Sequence, residues 1–134
     1  HWRLTRNRAL LTGISLGGAG QVVPVGEVPV RTLARRDLLI YLATHGAVHC
    51  WSRLKWLADF DALLGDGDVD ELYRHAFEAG LERPMGQALL LAEELFSRAL
   101  PGALAASLHR DRGLGRLVRL ARHMMSSLEE PHEM

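Results

Sequence analysis

Apolar residues along this chain fall into two rhythms. Val22-Val23-Pro24-Val25 and Val28-Pro29-Val30, split by Gly26-Glu27, are too short for helices and read as two β segments about a glycine turn. The prolines mark them as edge strands, because each removes a ladder donor. From Thr32 onward the apolar spacing changes to three and four. Leu38, Leu39, Leu42, Ala43 and Gly46 predict a helix opening at Thr32 or just after it, with Asp37 in an early turn where the helix dipole favours an acid. The helical pattern continues to Leu64, and Gly46 and Trp51-Ser52 are the places where it would kink or break.

Gly65-Asp66-Gly67-Asp68 closes that pattern. Asp68 and Glu71 have capping-box spacing and open a helix with Leu72, His75, Ala76 and Ala79 on its apolar side, stopped by Gly80. Pro84 starts the next helix, lined by Ala88, Leu91, Ala92, Leu95 and Phe96, and Pro101 begins a short one. The last runs from about Asp111 to Leu128, with Leu114, Leu117, Val118, Ala121, Met125 and Leu128 as a buried stripe. Its outer side carries Arg112, Arg116, Arg119 and His123, the pattern of a solvated face. Residues 1–12 read as a short strand running into a turn or helical segment, 13–20 as a glycine-rich connector and 129–134 as a frayed end. The expected fold class is mainly α, an N-terminal β-hairpin element followed by about six helices. It forms one domain over 1–134: partial strand, loop and hairpin in 1–31, motif helices in 32–64, a helical tail in 65–134.

Length and composition suit that fold: 134 residues with 48% hydrophobic and 24% charged side chains are enough for one core. A net charge of zero hides a polarity. Residues 1–60 carry eight basic and three acidic side chains and residues 61–134 eight and thirteen, so the halves stand at +5 and −5. A basic first half can attract a phosphate-bearing ligand, but the stronger expectation is that the two halves attract each other, and with a neutral whole nucleic acid is not expected as a partner. The single cysteine, Cys50, excludes an intrachain disulfide and is expected to be a buried thiol. No apolar run reaches the ~18 residues of a membrane span, and no signal peptide is visible, so a cytoplasmic setting is expected. The opening His1, in place of methionine, is expected of a fragment.

Candidate chemistry concentrates in His45-Gly46-Ala47-Val48-His49-Cys50-Trp51-Ser52-Arg53-Leu54-Lys55-Trp56-Leu57-Ala58-Asp59. On one unbroken helix, His45, His49, Ser52, Trp56 and Asp59 would share a stripe flanked by Arg53 and Lys55. Lys55 and Asp59 stand at i, i+4 and are placed to pair. His45 and His49 have the spacing of two zinc ligands, but the helix lacks the glutamate of a His-Glu-x-x-His site and shows no third ligand, so no metal is expected there. Asp66-x-Asp68-x-Asp70 begins like a calcium loop and then fails, with Glu71 where glycine and Phe77 where glutamate are required. The glycines at 13–20 lack the lysine of a phosphate loop.

This stretch, His-Gly-Ala-x-His-x-Trp-x-Arg-Leu-Lys-Trp-Leu-x-Asp followed by Leu63-Leu64, resembles the signature of a family of bacterial nucleotidyltransferases related to the DNA polymerase β superfamily. His1-Trp2-Arg3-Leu4, the run from Thr32-Leu33 to Leu42, and Arg83-Pro84, Ala88-Leu89 and Leu91-Ala92 are similar to what the family places around it. The resemblance implies nucleotidyl transfer with two magnesium ions and a nucleoside triphosphate in a complete parent protein. It also implies a nucleotide-facing role for Lys55, Arg53, Asp59, His45, His49 and Trp56, with Lys55 or Arg53 reaching the triphosphate. The metal-binding Asp-x-Asp of the superfamily needs a strand, where alternate residues point the same way. Here Asp59-Phe60-Asp61 lies in a helical segment, where two steps turn the carboxylates ~200° apart. The chain therefore looks like the C-terminal portion of such an enzyme, with its catalytic residues in a missing N-terminal partner portion. The competing expectation is a helical protein-interaction module with no catalytic role. Asp61, where the family has an apolar or small residue, and Ala34-Arg35, in place of its capping serine and proline, are the departures.

Overall fold

The computed structural model describes residues 21–32 and 34–129. It is mainly helical, with six helices among the described residues: α1 (Arg35–Val48), α2 (Leu54–Leu64), α3 (Val69–Glu78), α4 (Glu82–Phe96), α5 (Gly102–Arg110) and α6 (Arg112–Glu129). Ahead of them Gln21–Val25 (β1) and Val28–Thr32 (β2) have antiparallel backbone pairing. The readings of residues 1–20 and 130–134 lie outside the described residues.

The organising helix is α4. Its residues Met85, Gly86, Gln87, Ala88, Leu89, Leu90, Leu91 and Ala92 are all buried, so it has no wet face through its middle two turns. It packs against α1, α2, α3, α5 and α6. Such a helix is the hub of a core rather than one wall of it. The one polar side chain on that stretch, Gln87, donates from Nε2 to the Leu117 carbonyl of α6 at 2.9 Å, which removes the penalty of burying an amide. At its end Leu95 and Phe96, expected to line the apolar face, are exposed instead. There α4 has run past the core it fills, and Ser97 turns the chain with a left-handed φ of 55°.

Local chemistry sets the other boundaries. Asp68 accepts from the Glu71 amide at 3.0 Å and starts α3. Asp111 accepts from the Leu114 amide at 3.0 Å at the start of α6, which buries Leu114, Val118, Ala121 and Met125. The C-terminus of α3 is a Schellman motif: Leu81 N–H reaches Ala76 O at 2.8 Å, Gly80 N–H reaches Phe77 O at 3.0 Å, and Gly80 takes the left-handed φ of 73°.

The C-terminus of α1 repeats that motif without a glycine. Trp51 N–H reaches Gly46 O at 2.7 Å and Cys50 N–H reaches Ala47 O at 3.1 Å. Cys50 occupies the left-handed position with φ 52°, and Trp51 follows at φ 49°. Two such residues in a row cost about 1–2 kcal/mol each. What offsets this is Trp51 itself, which is fully buried. Roughly 200 Å² removed from water at ~25 cal/mol per Å² contributes about 5 kcal/mol. The helical pattern therefore breaks around Trp51-Ser52, one of the places named for it, and the single stripe across residues 45–59 does not form: the chain leaves α1 at His49, plunges Trp51 into the core and restarts at Leu54.

Trp51 fits only because residue 46 has no side chain. A Cβ there would stand 2.4 Å from two carbons of the Trp51 ring. Cys50, expected to be buried, is half-buried at the surface of this turn.

Two arginines hold the far end of α2. Arg35, on the first turn of α1, donates from Nε to Leu63 O at 2.8 Å and from Nη2 to Leu64 O at 2.7 Å. Arg98, just after α4, donates to the Asp61 carboxylate, to Asp61 O at 2.9 Å and to Gly65 O at 2.8 Å. The carbonyls a helix leaves unpaired at its C-terminus are thus capped by cations, which the dipole also favours. Both departures noted in the sequence, Arg35 and Asp61, belong to this clamp. Among the described residues no helix is long and apolar enough to cross a membrane.

Candidate functional site

The break between α1 and α2 assembles a platform that the single-helix reading did not anticipate in this form. Tyr41, His45 and His49 follow one another at four-residue steps along α1 and its cap, so their rings stack in a row. Ring centroids lie 5.8 Å apart for Tyr41 and His45 and 4.6 Å apart for His45 and His49. Trp56, on the first turn of α2, closes against both imidazoles, edge-on to His45 at 4.9 Å and tilted to His49 at 5.4 Å. Arg53, the N-cap residue of α2, sets its guanidinium carbon 5.9 Å from the Trp56 ring centroid, within cation–π range.

The half-buried His45 is held below its ordinary pKa of 6.5, first by burial and then by the neighbouring His49. It is therefore a neutral imidazole at pH 7, a hydrogen-bonding aromatic with no charge to repel Arg53.

Electrostatics change sharply one step along. The first turn of α2 has no acidic residue and no side-chain cap. Its free amide ends, the positive end of its dipole, Arg53 and Lys55 make the start of this helix electropositive. Aromatic rings thus adjoin a cationic corner.

Four of the six residues singled out by sequence come together here: His45, His49, Trp56 and Arg53. Lys55 and Asp59 do not join the ring contacts. Both are exposed on α2, opposite its buried Leu57, Phe60 and Leu64, and the Lys55–Asp59 pair is not among the ion pairs of the described residues. Asp59 lies one turn beyond Trp56, at the platform's edge. Ser52 leaves the stripe because it sits in the turn. Tyr41 was missed, although its distance of four residues from His45 was the available signal.

The two tryptophans of the motif have divided the roles that sequence left open: Trp51 is a core anchor, and Trp56 is half-exposed in the platform.

The donors do not fit a two-magnesium centre. Among the described residues no three His, Cys, Asp or Glu side chains come together to hold an ion. Asp59 faces solvent, and Asp61 is committed to Arg98. The residues can present a cluster of mutually tilted aromatic rings and cations to a ligand.

Against known proteins, the family model described as an uncharacterised nucleotidyltransferase matches residues 1–97, which takes in α1, α2, α3 and α4 and the whole platform. No curated protein and no solved structure matches the chain. With most of its length covered by that family model, the chain belongs to the uncharacterised nucleotidyltransferases.

Proposed function

We propose that this chain is the C-terminal, nucleotide-facing part of a nucleotidyltransferase, and that the platform receives a nucleoside triphosphate. The observation that carries the reading is the abrupt join of an aromatic ring cluster to an electropositive helix start. A nucleotide has the same division, an aromatic base at one end and phosphates at the other. Trp56 and the two imidazoles stack against the base, since every base has a π-face and stacking on an aromatic is worth ~1–3 kcal/mol. Arg53 and the α2 amides meet phosphate oxygens, where a guanidinium makes two hydrogen bonds at once. Lys55 supplies a further cation from the outer face of α2, and Asp59 limits where it swings.

Magnesium belongs with the complete parent protein. The acids that hold it there are expected from a portion N-terminal to the platform, on the sheet to which β1 and β2 would belong. Among the described residues no cluster of three or more His, Cys, Asp or Glu side chains fits the metal. The part of the platform residues is to bind and orient the nucleotide and to offset phosphate charge.

Titration of the full chain with a nucleoside triphosphate, followed by tryptophan fluorescence, tests this. Binding should quench Trp56, and the quench should vanish in Trp56→Phe while the buried Trp51 signal remains. Arg53→Ala and Lys55→Ala should each weaken binding by roughly 10- to 100-fold, as expected for losing a charge-assisted hydrogen bond of ~1.5–3 kcal/mol, with little change in melting temperature. A chain that binds no nucleotide up to millimolar concentrations would favour the helical interaction module. So would a chain whose binding ignores all three substitutions.

A further inference from the structure

The outward face of α6 is a one-sign surface that the platform does not use. From Arg112 to Leu128 the sequence has no acidic residue. Arg112, Arg116, Arg119 and His123 are all exposed, while Leu114, Val118, Ala121 and Met125 fill the core on the opposite side. The intervals of four, three and four residues keep the basic side chains on one ridge. At ~1.5 Å per residue they span about 16 Å, with steps of roughly 5–6 Å. Arg122 stands apart from the ridge, since its Nη1 donates to Glu94 of α4 at 2.6 Å.

Three classes of acidic partner suit a basic ridge, and the structure separates them. A protein partner would need apolar and aromatic residues at the centre of the contact. The ridge offers one large apolar side chain, Leu120 at its flank. A membrane-lying helix needs its apolar face free. That face of α6 is buried in the core. A phosphodiester backbone needs neither: it takes evenly spaced cations and gives up counterions.

We propose that the Arg112, Arg116, Arg119 and His123 face of α6 binds the phosphate backbone of a nucleic acid strand. This binding does not rest on the nucleotidyltransferase reading. Whole-chain neutrality argued against nucleic acid because it averages this ridge with acids placed elsewhere.

Fluorescein-labelled 20-mer RNA and DNA, titrated against the full chain by anisotropy over a range of salt concentrations and without nucleotide, provide the test. The triple variant Arg112→Ala, Arg116→Ala, Arg119→Ala should lose more than tenfold affinity. Its log–log salt slope should become shallower by about 2, from ~0.7 per phosphate contact. The triple lysine variant, with charge kept, should stay within about threefold of the parent. This separates loss of charge from loss of fold. The RNA and DNA arms show which sugar is accepted. Undiminished binding in the alanine variant overturns the proposal. Displacement of the strand by polyglutamate at equal charge would assign the face to an acidic protein, and capture by anionic vesicles in preference to the strand would assign it to a membrane; either overturns it. Because no nucleotide is present, a failed nucleotide titration leaves this result unaffected.

Discussion

Glycine to alanine inside a helix normally stabilises by roughly 0.5–1 kcal/mol, because alanine surrenders less backbone entropy on folding. At Gly46 the sign should reverse. A Cβ there would sit 2.4 Å from Cη2 and Cζ3 of Trp51 and 2.5 Å from Cε3, far inside van der Waals contact. The ring is fully buried and cannot swing into solvent without giving up its burial. Its backbone is already held at φ 49° by the bond from its amide to Gly46 O. The remaining options are to shift α1 against the turn, which as overpacking costs about 1–3 kcal/mol, or to expel Trp51, which costs about 3–5 kcal/mol. Less the helix-propensity gain, Gly46→Ala should destabilise by roughly 2–3 kcal/mol. On a chain of this size that lowers the melting temperature by about 6–12 °C. Thermal unfolding followed by circular dichroism reads the shift. The double variant Gly46→Ala, Trp51→Leu isolates the cause. Leucine removes the ring, so the alanine should cost nothing further, and the double variant should be no less stable than Trp51→Leu alone. A Gly46→Ala protein that melts at or above the parent temperature refutes the packing argument. Equal penalties in the two backgrounds refute it as well.

Cys50→Gly should stabilise by about 1 kcal/mol in urea unfolding, since glycine accepts the left-handed φ without the Cβ clash, as Gly80 does in the matching motif on α3; an unchanged or lower midpoint would mean that the turn is unstrained. Because burial and His49 depress the His45 pKa below 6.5, the unfolded chain binds the proton more readily. The His45 contribution to stability is thus fully present above about pH 6.5 and is lost as pH falls through the folded pKa. Melting temperatures at pH 7.5 and 5.5 should therefore drop further for the parent than for His45→Gln, and parallel drops would remove His45 as the cause.

Much of the helical tail was legible because its signals are local. Asp68 with Glu71, Gly80 and Asp111 act within one turn of themselves, and the α6 stripe repeats often enough to name Leu114, Val118, Ala121 and Met125 as buried, while Leu117 is half-buried and the Leu128 side chain lies outside the described ones. The break at residues 49–53 was only half legible. Gly46 and Trp51 stood out, but the left-handed position is filled by Cys50, a residue that ordinarily signals nothing of the kind. Its conformation is set by the burial of the next side chain, a tertiary effect that periodicity does not carry. The platform survived this misreading because His45 and His49 belong to α1 and Trp56 returns to them from α2. Arg35 and Arg98 were illegible for a simpler reason. Their partners lie 28 to 37 residues away in sequence, and no spacing rule spans such distances.

The clamp on α2 has a consequence for how this part of the molecule breathes. Hydrogen bonds open first where neither packing nor a partner holds them. At its C-terminal end α2 is held by guanidinium groups arriving from two separate segments of the chain. At its N-terminal end it follows a strained turn and has no side-chain cap. Opening fluctuations must therefore begin at Leu54 and die out toward Leu64. The end that loosens first is the one that carries Arg53, Lys55 and Trp56, so the helix can reshape around whatever settles there while its other end keeps the register of the core.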